Sequence, residues 1–376
     1  MTRGGAREVA AAIERSNDSS ELLLEAHFQQ TIGLVEDKPY KVFGAQAQGC
    51  NPVATAFAEA GNHVVAIEPD GAVAAGSGVA EQLDHVLSGT GTDAELLRTA
   101  GIDRAARIVV CTGDDALNVQ VTQTVARACE GRAQTPIRCS VQLGSASLTA
   151  LLRAADLESR GGARISYFNL HERAARAMLA QSGPTLAKEG PAPHLMVIGL
   201  GQFGRSVVLA LAQQWAEVRP GEPISPTLVD PAARQKWEAL RLLHPALDAV
   251  CEPTLVDLDM GEPDPGEVEG FLALLDEDPP AWLAVADADE SIALANAGFV
   301  HRHLRGREVP MVVRMQSETG LGGLLRPHPD ADSALPGVEL FPFLDRTCTT
   351  ATADGGVREQ LAEAVHEDYL AHLAPD

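Results

Sequence analysis

Short aliphatic runs alternate with longer stretches of helical spacing along most of this chain. Tyr40–Gly44, His63–Glu68, Ile108–Cys111 and Ile137–Gln142 read as strands. Leu195–Ile198, Thr227–Asp230, Trp282–Val285 and Met311–Gln316 read the same way further on. Helical patterns such as Val53–Ala60 and Arg205–Trp215 fall between them. Strands that are apolar throughout, rather than on alternate positions, belong to parallel sheets covered on both faces. Strands that alternate with helices imply βαβ units. The expected fold class is therefore α/β, as two tandem Rossmann-like doubly wound parallel sheets.

The duplication is visible in the residues. Pro136–Gln142 matches Pro310–Gln316, and Ile108–Asp115 matches Trp282–Asp289. Both matches have an offset of 174 (Pro136 to Pro310, Asp115 to Asp289), and agreement between independent segments marks a true repeat. The glycine turns that open the copies are only 155 apart (Gly44 to Gly199). The second copy therefore carries extra residues, expected in the Pro/Gly-rich segments Arg219–Pro226 and Asp276–Pro280. The expected organisation is an N-terminal helical segment over 1–38, a first copy over 39–185, a second over 186–345 and a helical tail over 346–376.

The glycine turns carry the candidate chemistry. In the second copy, Gly199-Leu200-Gly201-Gln202-Phe203-Gly204 follows a strand and opens a helix. In that setting the first glycine permits a tight turn, the second lets backbone approach a diphosphate, and the third lets helix pack on strand. The helix N-terminus supplies free N–H groups to the phosphates. Asp230, ending the next strand, is placed to accept from ribose hydroxyls. An acid there repels a 2′-phosphate, which favours NAD or an adenine nucleotide over NADP. The first copy has Gly44, Gly49 and, at the ribose position, Glu68, but Gln46 stands where the middle glycine belongs. A side chain there crowds a diphosphate, so the first copy reads more readily as a structural pseudo-copy. Asp114, Asp115 and Asn118, and likewise Asp287 and Asp289, follow strands at the carboxyl edge of each copy. Helix capping is their commonest use, with ribose or cation contact as the alternatives.

Composition narrows the partners. Aromatic residues are only 4%, so the cores must be built from Ala, Val, Leu and Ile. The formal charge of −23 repels phosphate backbones and anionic lipid, which argues against nucleic acid or membrane as partner. The six cysteines are scattered without a C-x-x-C pair, so neither a zinc knuckle nor a disulfide scaffold is indicated, and a reducing, cytoplasmic setting fits. No apolar run reaches the roughly 18 residues of a transmembrane helix.

The order glycine turn, acid-ended strand, Gly89-Thr90-Gly91-Thr92-Asp93 with Leu96–Ile102, then Thr112–Asn118, resembles the TrkA-N or RCK (regulator of conductance of potassium) family, in two copies over roughly residues 40–345. The resemblance implies cytosolic regulatory domains of potassium channels and transporters that bind NAD(H), ATP or ADP and form dimers or rings. The binding residues it implies are Gly199, Gly201, Gly204 and Asp230 in the second copy, and Gly44, Gly49 and Glu68 in the first. The segments Leu340–Asp345 and Arg358–Leu370 are similar to the lead-in of RyR-type (ryanodine-receptor-type) repeats. Leu361, Val365, Tyr369 and Leu373 equally read as the apolar stripe of an ordinary amphipathic helix.

No nucleophile elbow is present, and His301-x-His303 has the wrong spacing for one helix face. The leading expectation is thus a nucleotide-sensing regulatory protein, with no catalytic or metal-ligating residue assigned. Its partners would be an adenine nucleotide, a further copy of itself as homodimer or higher oligomer, and a potassium channel or transporter. A second-messenger receptor in a signalling or defence system and an NAD-dependent oxidoreductase are the alternatives.

Overall fold

The computed structural model describes residues 40–45, 50–68, 83, 85–130, 136–155, 159–160, 162–261, 263–318, 321 and 337–348. The expected N-terminal helix, the first-copy turn from Gln46 to Gly49 and the tail beyond Cys348 lie outside them. The contacts divide the chain into two compact units. One comprises Met1–Gln142 with Asp156–Ser166, the other Leu143–Ala155 with Tyr167–Asp376.

The first sheet has seven strands: β1 (Tyr40–Ala45), β2 (His63–Glu68), β3 (His85–Ser88), β4 (Arg107–Cys111), β5 (Ile137–Gln142), β6 (Ser159–Arg160) and β7 (Ala163–Phe168). Their order is β3-β2-β1-β4-β5-β7-β6. The pairs among β3, β2, β1, β4 and β5 are parallel, and β6 pairs antiparallel with β7. Its helices are α1 (Cys50–Glu59), α2 (Ala94–Thr99) and α3 (Asp115–Ala128), while α4 (Ala146–Ala154) and α5 (Leu170–Ser182) belong to the second unit.

The second sheet has β8 (Leu195–Ile198), β9 (Thr227–Asp230), β10 (Thr254–Asp257), β11 (Trp282–Val285), β12 (Met311–Met315) and β13 (Val338–Pro342). All its pairs are parallel, in the order β10-β9-β8-β11-β12-β13. This is the doubly wound order in which a crevice opens where the strand sequence reverses, here between β8 and β11. The helices are α6 (Gln202–Val218), α7 (Ala233–Leu243), α8 (Pro265–Glu277), α9 (Glu290–His303) and α10 (Phe343–Thr347). Every residue of β8, β9, β11 and β12 is buried. That is what continuous aliphatic runs demand of a sheet covered on both faces.

Most helices start on a side chain that accepts from their first amides. Asp93, Asp114, Ser145, Asn169, Asp264 and Asp289 do this for α2, α3, α4, α5, α8 and α9. The capping expectation for the acids after β4 and β11 thus holds for Asp114 and Asp289. These two lie 175 apart, one more than the pairing of Asp115 with Asp289. Asp289 accepts from Ser291 N at 2.8 Å and Ile292 N at 3.1 Å. Asp289→Ala is expected to cost the second unit about 1 kcal/mol. Denaturant unfolding followed by tryptophan fluorescence checks this, because Trp215, Trp237 and Trp282, the three in the chain, all lie in that unit.

The extra length of the second copy enters in stages. The offset is 155 at the first strands (Tyr40 to Leu195), 164 at the second (His63 to Thr227) and 175 at the fourth (Arg107 to Trp282). Part of the first step is the helix itself, since α6 has 17 residues where α1 has 10. The segment Arg219–Pro226 does form a loop, bridged at Ile224 to Cys251. Leu340–Pro342, from the RyR-like segment, is part of β13, the edge strand of the second sheet.

Cys111, at the end of β4, is disulfide-bonded, which a reading of scattered thiols did not foresee. Cys139, Cys251 and Cys348 are free and buried, and Cys129 is buried. Among the described residues no helix is long and apolar enough to cross a membrane.

Candidate functional site: the glycine turn between β8 and α6

The turn is built by its neighbours. Gly199 has φ +86°, a region that L side chains avoid. A Cβ on it would also lie 2.6 Å from Asp287 Oδ1 and 2.8 Å from Asp287 N. A Cβ on Gly204 would lie 1.8 Å from the Gly199 carbonyl oxygen and 3.3 Å from the Ala286 Cβ. The outer two glycines are therefore required by packing alone. Gly201 is different. A Cβ there would meet no atom within 4 Å, so the fold itself does not need this glycine.

Gly201 is also the N-cap residue of α6, and it makes no side-chain cap. Gly199 N donates to Val229 O, Leu200 N to Asp230 Oδ2, and Arg205 N to Gly201 O. Among the described residues, no acceptor receives the amides of Gly201, Gln202, Phe203 or Gly204. Four consecutive donors are thus presented at the positive end of a 17-residue helix. The helix holds without a cap because Phe203, Val207 and Leu211 are buried along one face. Each is worth about 1.5–3 kcal/mol, against about 1 kcal/mol for a missing cap.

Asp230 ends β9 and is only 4% exposed. Its carboxylate accepts from Leu200 N at 2.8 Å and from Ala232 N at 2.9 Å, and Lys236 Nζ lies 2.7 Å away. On the far wall of the crevice, Asp287 Oδ2 accepts from Asn296 Nδ2 at 2.9 Å. Burial pushes the Asp287 pKa up, and Asp230 nearby adds to the rise, while the Asn296 hydrogen bond opposes it. The loop carrying Asp287 is held from below by Arg314, which is 5% exposed and donates to the carbonyls of Asp287 (3.2 Å) and Ala288 (2.6 Å). Its guanidinium lies 4.6 Å from the centre of the Phe343 ring.

The crevice thus gathers Gly199, Leu200, Gly201, Gln202, Phe203, Gly204 and Asp230 around one helix end. Lys236 and Arg314 join them without having been singled out in the sequence. Arg314 did leave a signal, a charge within the buried strand β12 where the first copy has Ser140.

The first-copy residues are separately placed. Gly44 pairs with Ile67 and Val110 inside the sheet. Gln46 and Gly49 lie outside the described residues. Asp114 is the α3 cap, accepting from Leu117 N at 2.8 Å. Asn118, buried, accepts from Thr112 N and donates to Gln142 O, tying β4 to β5. Glu68 ends β2, and its carbonyl accepts from Gly89 N at 2.8 Å. Burial raises its carboxyl pKa from 4.5 to about 7.

A raised carboxyl pKa means that the folded state holds the proton more tightly than the unfolded one. The folded state is then favoured below pH 4.5 and loses that advantage as the pH rises through 7. Glu68→Gln is expected to abolish this loss, protecting the β2 amides from hydrogen exchange better than the parent at pH 8 and no better at pH 4. Equal exchange at both pH values would refute it.

Among the described residues there is no group of three or more His, Cys, Asp or Glu that could hold a metal ion.

Residues 42–142 match the TrkA-N domain family. That match lies within the first copy, where Gln46 stands in the place of the middle glycine. No curated protein matches the chain by sequence. Among solved structures, the chain is similar to GsuK bound to ADP, with a TM-score of 0.51 at 16% identity over 85% of this chain and 70% of that one. It is similar to the GsuK channel bound to NAD, with a TM-score of 0.54 at 14% identity over 85% of this chain and 64% of that one. It is also similar to the human SLO3 gating ring, with a TM-score of 0.54 at 10% identity over 86% of this chain and 83% of that one. Residues 42–142 therefore match the TrkA-N domain family, and the chain has the fold of the GsuK RCK domain.

Proposed function

We propose that this protein is a cytosolic regulatory module that binds NAD(H) or an adenine nucleotide, ATP or ADP, at the α6 turn. The observation that carries this is the conjunction at Gly201: four amide donors without an acceptor among the described residues, beside a glycine whose side-chain position meets nothing within 4 Å. A diphosphate satisfies those donors, and charge-assisted hydrogen bonds of that kind are the strong ones. The ADP and NAD named for the GsuK structures are consistent with this class of ligand.

In this reading the nucleotide shifts an equilibrium between conformations by binding one better than the other. The controlled partner is a potassium channel or transporter, and the module works as a homodimer or higher oligomer. Isothermal calorimetry on the full chain with NAD, NADH, ADP and ATP is the test. Saturable binding of at least one is expected; no heat from any of the four would sink the proposal. Copurification with a potassium channel or transporter expressed beside the module would test the partner.

A further inference from the structure

We infer that Lys236 is a built-in competitor for the sugar. It occupies the ribose-accepting side of Asp230 and must swing aside when a ribonucleotide binds, so it sets how tightly the site holds one. This rests on the nucleotide reading above and names a residue that determines its specificity.

A carboxylate accepts at about four lone-pair positions. Leu200 N and Ala232 N take one each, at 2.8 and 2.9 Å. Both are backbone donors of the turns that frame the crevice, so they stay. Lys236 Nζ, at 2.7 Å, takes part of what is left. A ribose diol presents two adjacent hydroxyls and needs that same remaining capacity. The carboxylate is 4% exposed, whereas the Lys236 side chain is 39% exposed. Of the three donors, only the lysine can leave without unfolding anything. Its stem is flexible, its ammonium hydrates well, and an ion pair with one partner in solvent is weak. Arg234, the other cation on this turn, is held by Asp257 at 2.9 Å through its amide and 2.8 Å through Nε, so it does not compete.

The sign of the effect separates this from plain electrostatics. Removing a cation beside an anionic ligand would ordinarily weaken binding. Removing a competitor strengthens it, by the fraction of time the acceptor had been occupied. Lys236→Met is therefore expected to tighten ADP and NAD by about three- to tenfold in calorimetry on the full chain. An ADP analogue lacking both ribose hydroxyls should gain nothing. Lys236→Gln serves as a second variant, with fluorescence melting to confirm that each folds.

Tighter ADP and NAD with an indifferent dideoxy analogue supports the inference. Unchanged or weaker ADP and NAD binding by both variants overturns it while leaving the nucleotide reading intact, since the parent still binds. Equal tightening of the dideoxy analogue also overturns it. Silence from the parent and both variants removes the nucleotide reading and this inference together.

Discussion

Gly204→Ala is expected to destabilise the second unit by about 3–5 kcal/mol, near the upper end for a single substitution. The added Cβ would stand 1.8 Å from the Gly199 carbonyl oxygen, far inside any permitted contact. The acceptor is backbone in a turn already fixed by the positive φ of Gly199 and by the hydrogen bond from Gly199 N to Val229 O. It cannot rotate away as a side chain could. Relief requires α6 to lift off the sheet, and that exposes Phe203, Val207 and Leu211 to water. Urea unfolding followed by tryptophan fluorescence measures the loss. A change below about 1 kcal/mol would mean that helix and strand approach each other less closely than described.

Gly201→Val is expected to do the reverse: stability nearly unchanged, ligand lost. Its φ of −67° is open to any residue, and nothing lies within 4 Å of the new Cβ. The stability cost should stay under about 1 kcal/mol, the penalty of a poorer N-cap residue. The branched side chain would, however, stand among the amides of Gly201 to Gly204. Losing two charge-assisted hydrogen bonds at about 1.5–3 kcal/mol each lowers affinity by at least about a hundredfold. Calorimetry with whichever of ADP, ATP, NAD or NADH binds the parent gives the answer. Retained affinity in a folded Gly201→Val protein would show that the diphosphate does not sit on this turn.

Local patterns announced much of this architecture. The aliphatic runs marked β2, β4, β8, β9 and β11, because a strand buried on both faces has no polar positions to interrupt it. The turn at Gly199–Gly204 was readable because its three glycines fall within six residues between a strand and a helix. What stayed hidden depends on distant parts of the chain. Lys236 lies six residues beyond Asp230 on the next helix, and nothing in its surroundings announces that it folds back. The approach of Asp287 to Gly199 spans 88 positions (Gly199 to Asp287) and follows only from the pairing of β8 with β11. Arg314 was detectable in principle as a charge in a buried strand. Its purpose, holding the Asp287 loop, requires the strand order. In the same way, sequence matching placed Asp115 opposite Asp289, whereas cap geometry places Asp114 there. A single-residue shift of that kind is invisible to residue similarity.

The three glycines of the α6 turn answer to different masters. Two are dictated by steric necessity, so they would persist through any loss of ligand for as long as the fold is kept. Only the middle one is free to drift once nothing is bound. Among duplicated units of this type, the middle position is therefore the one that records whether the pocket is still in use. In the first copy that middle position is held by Gln46.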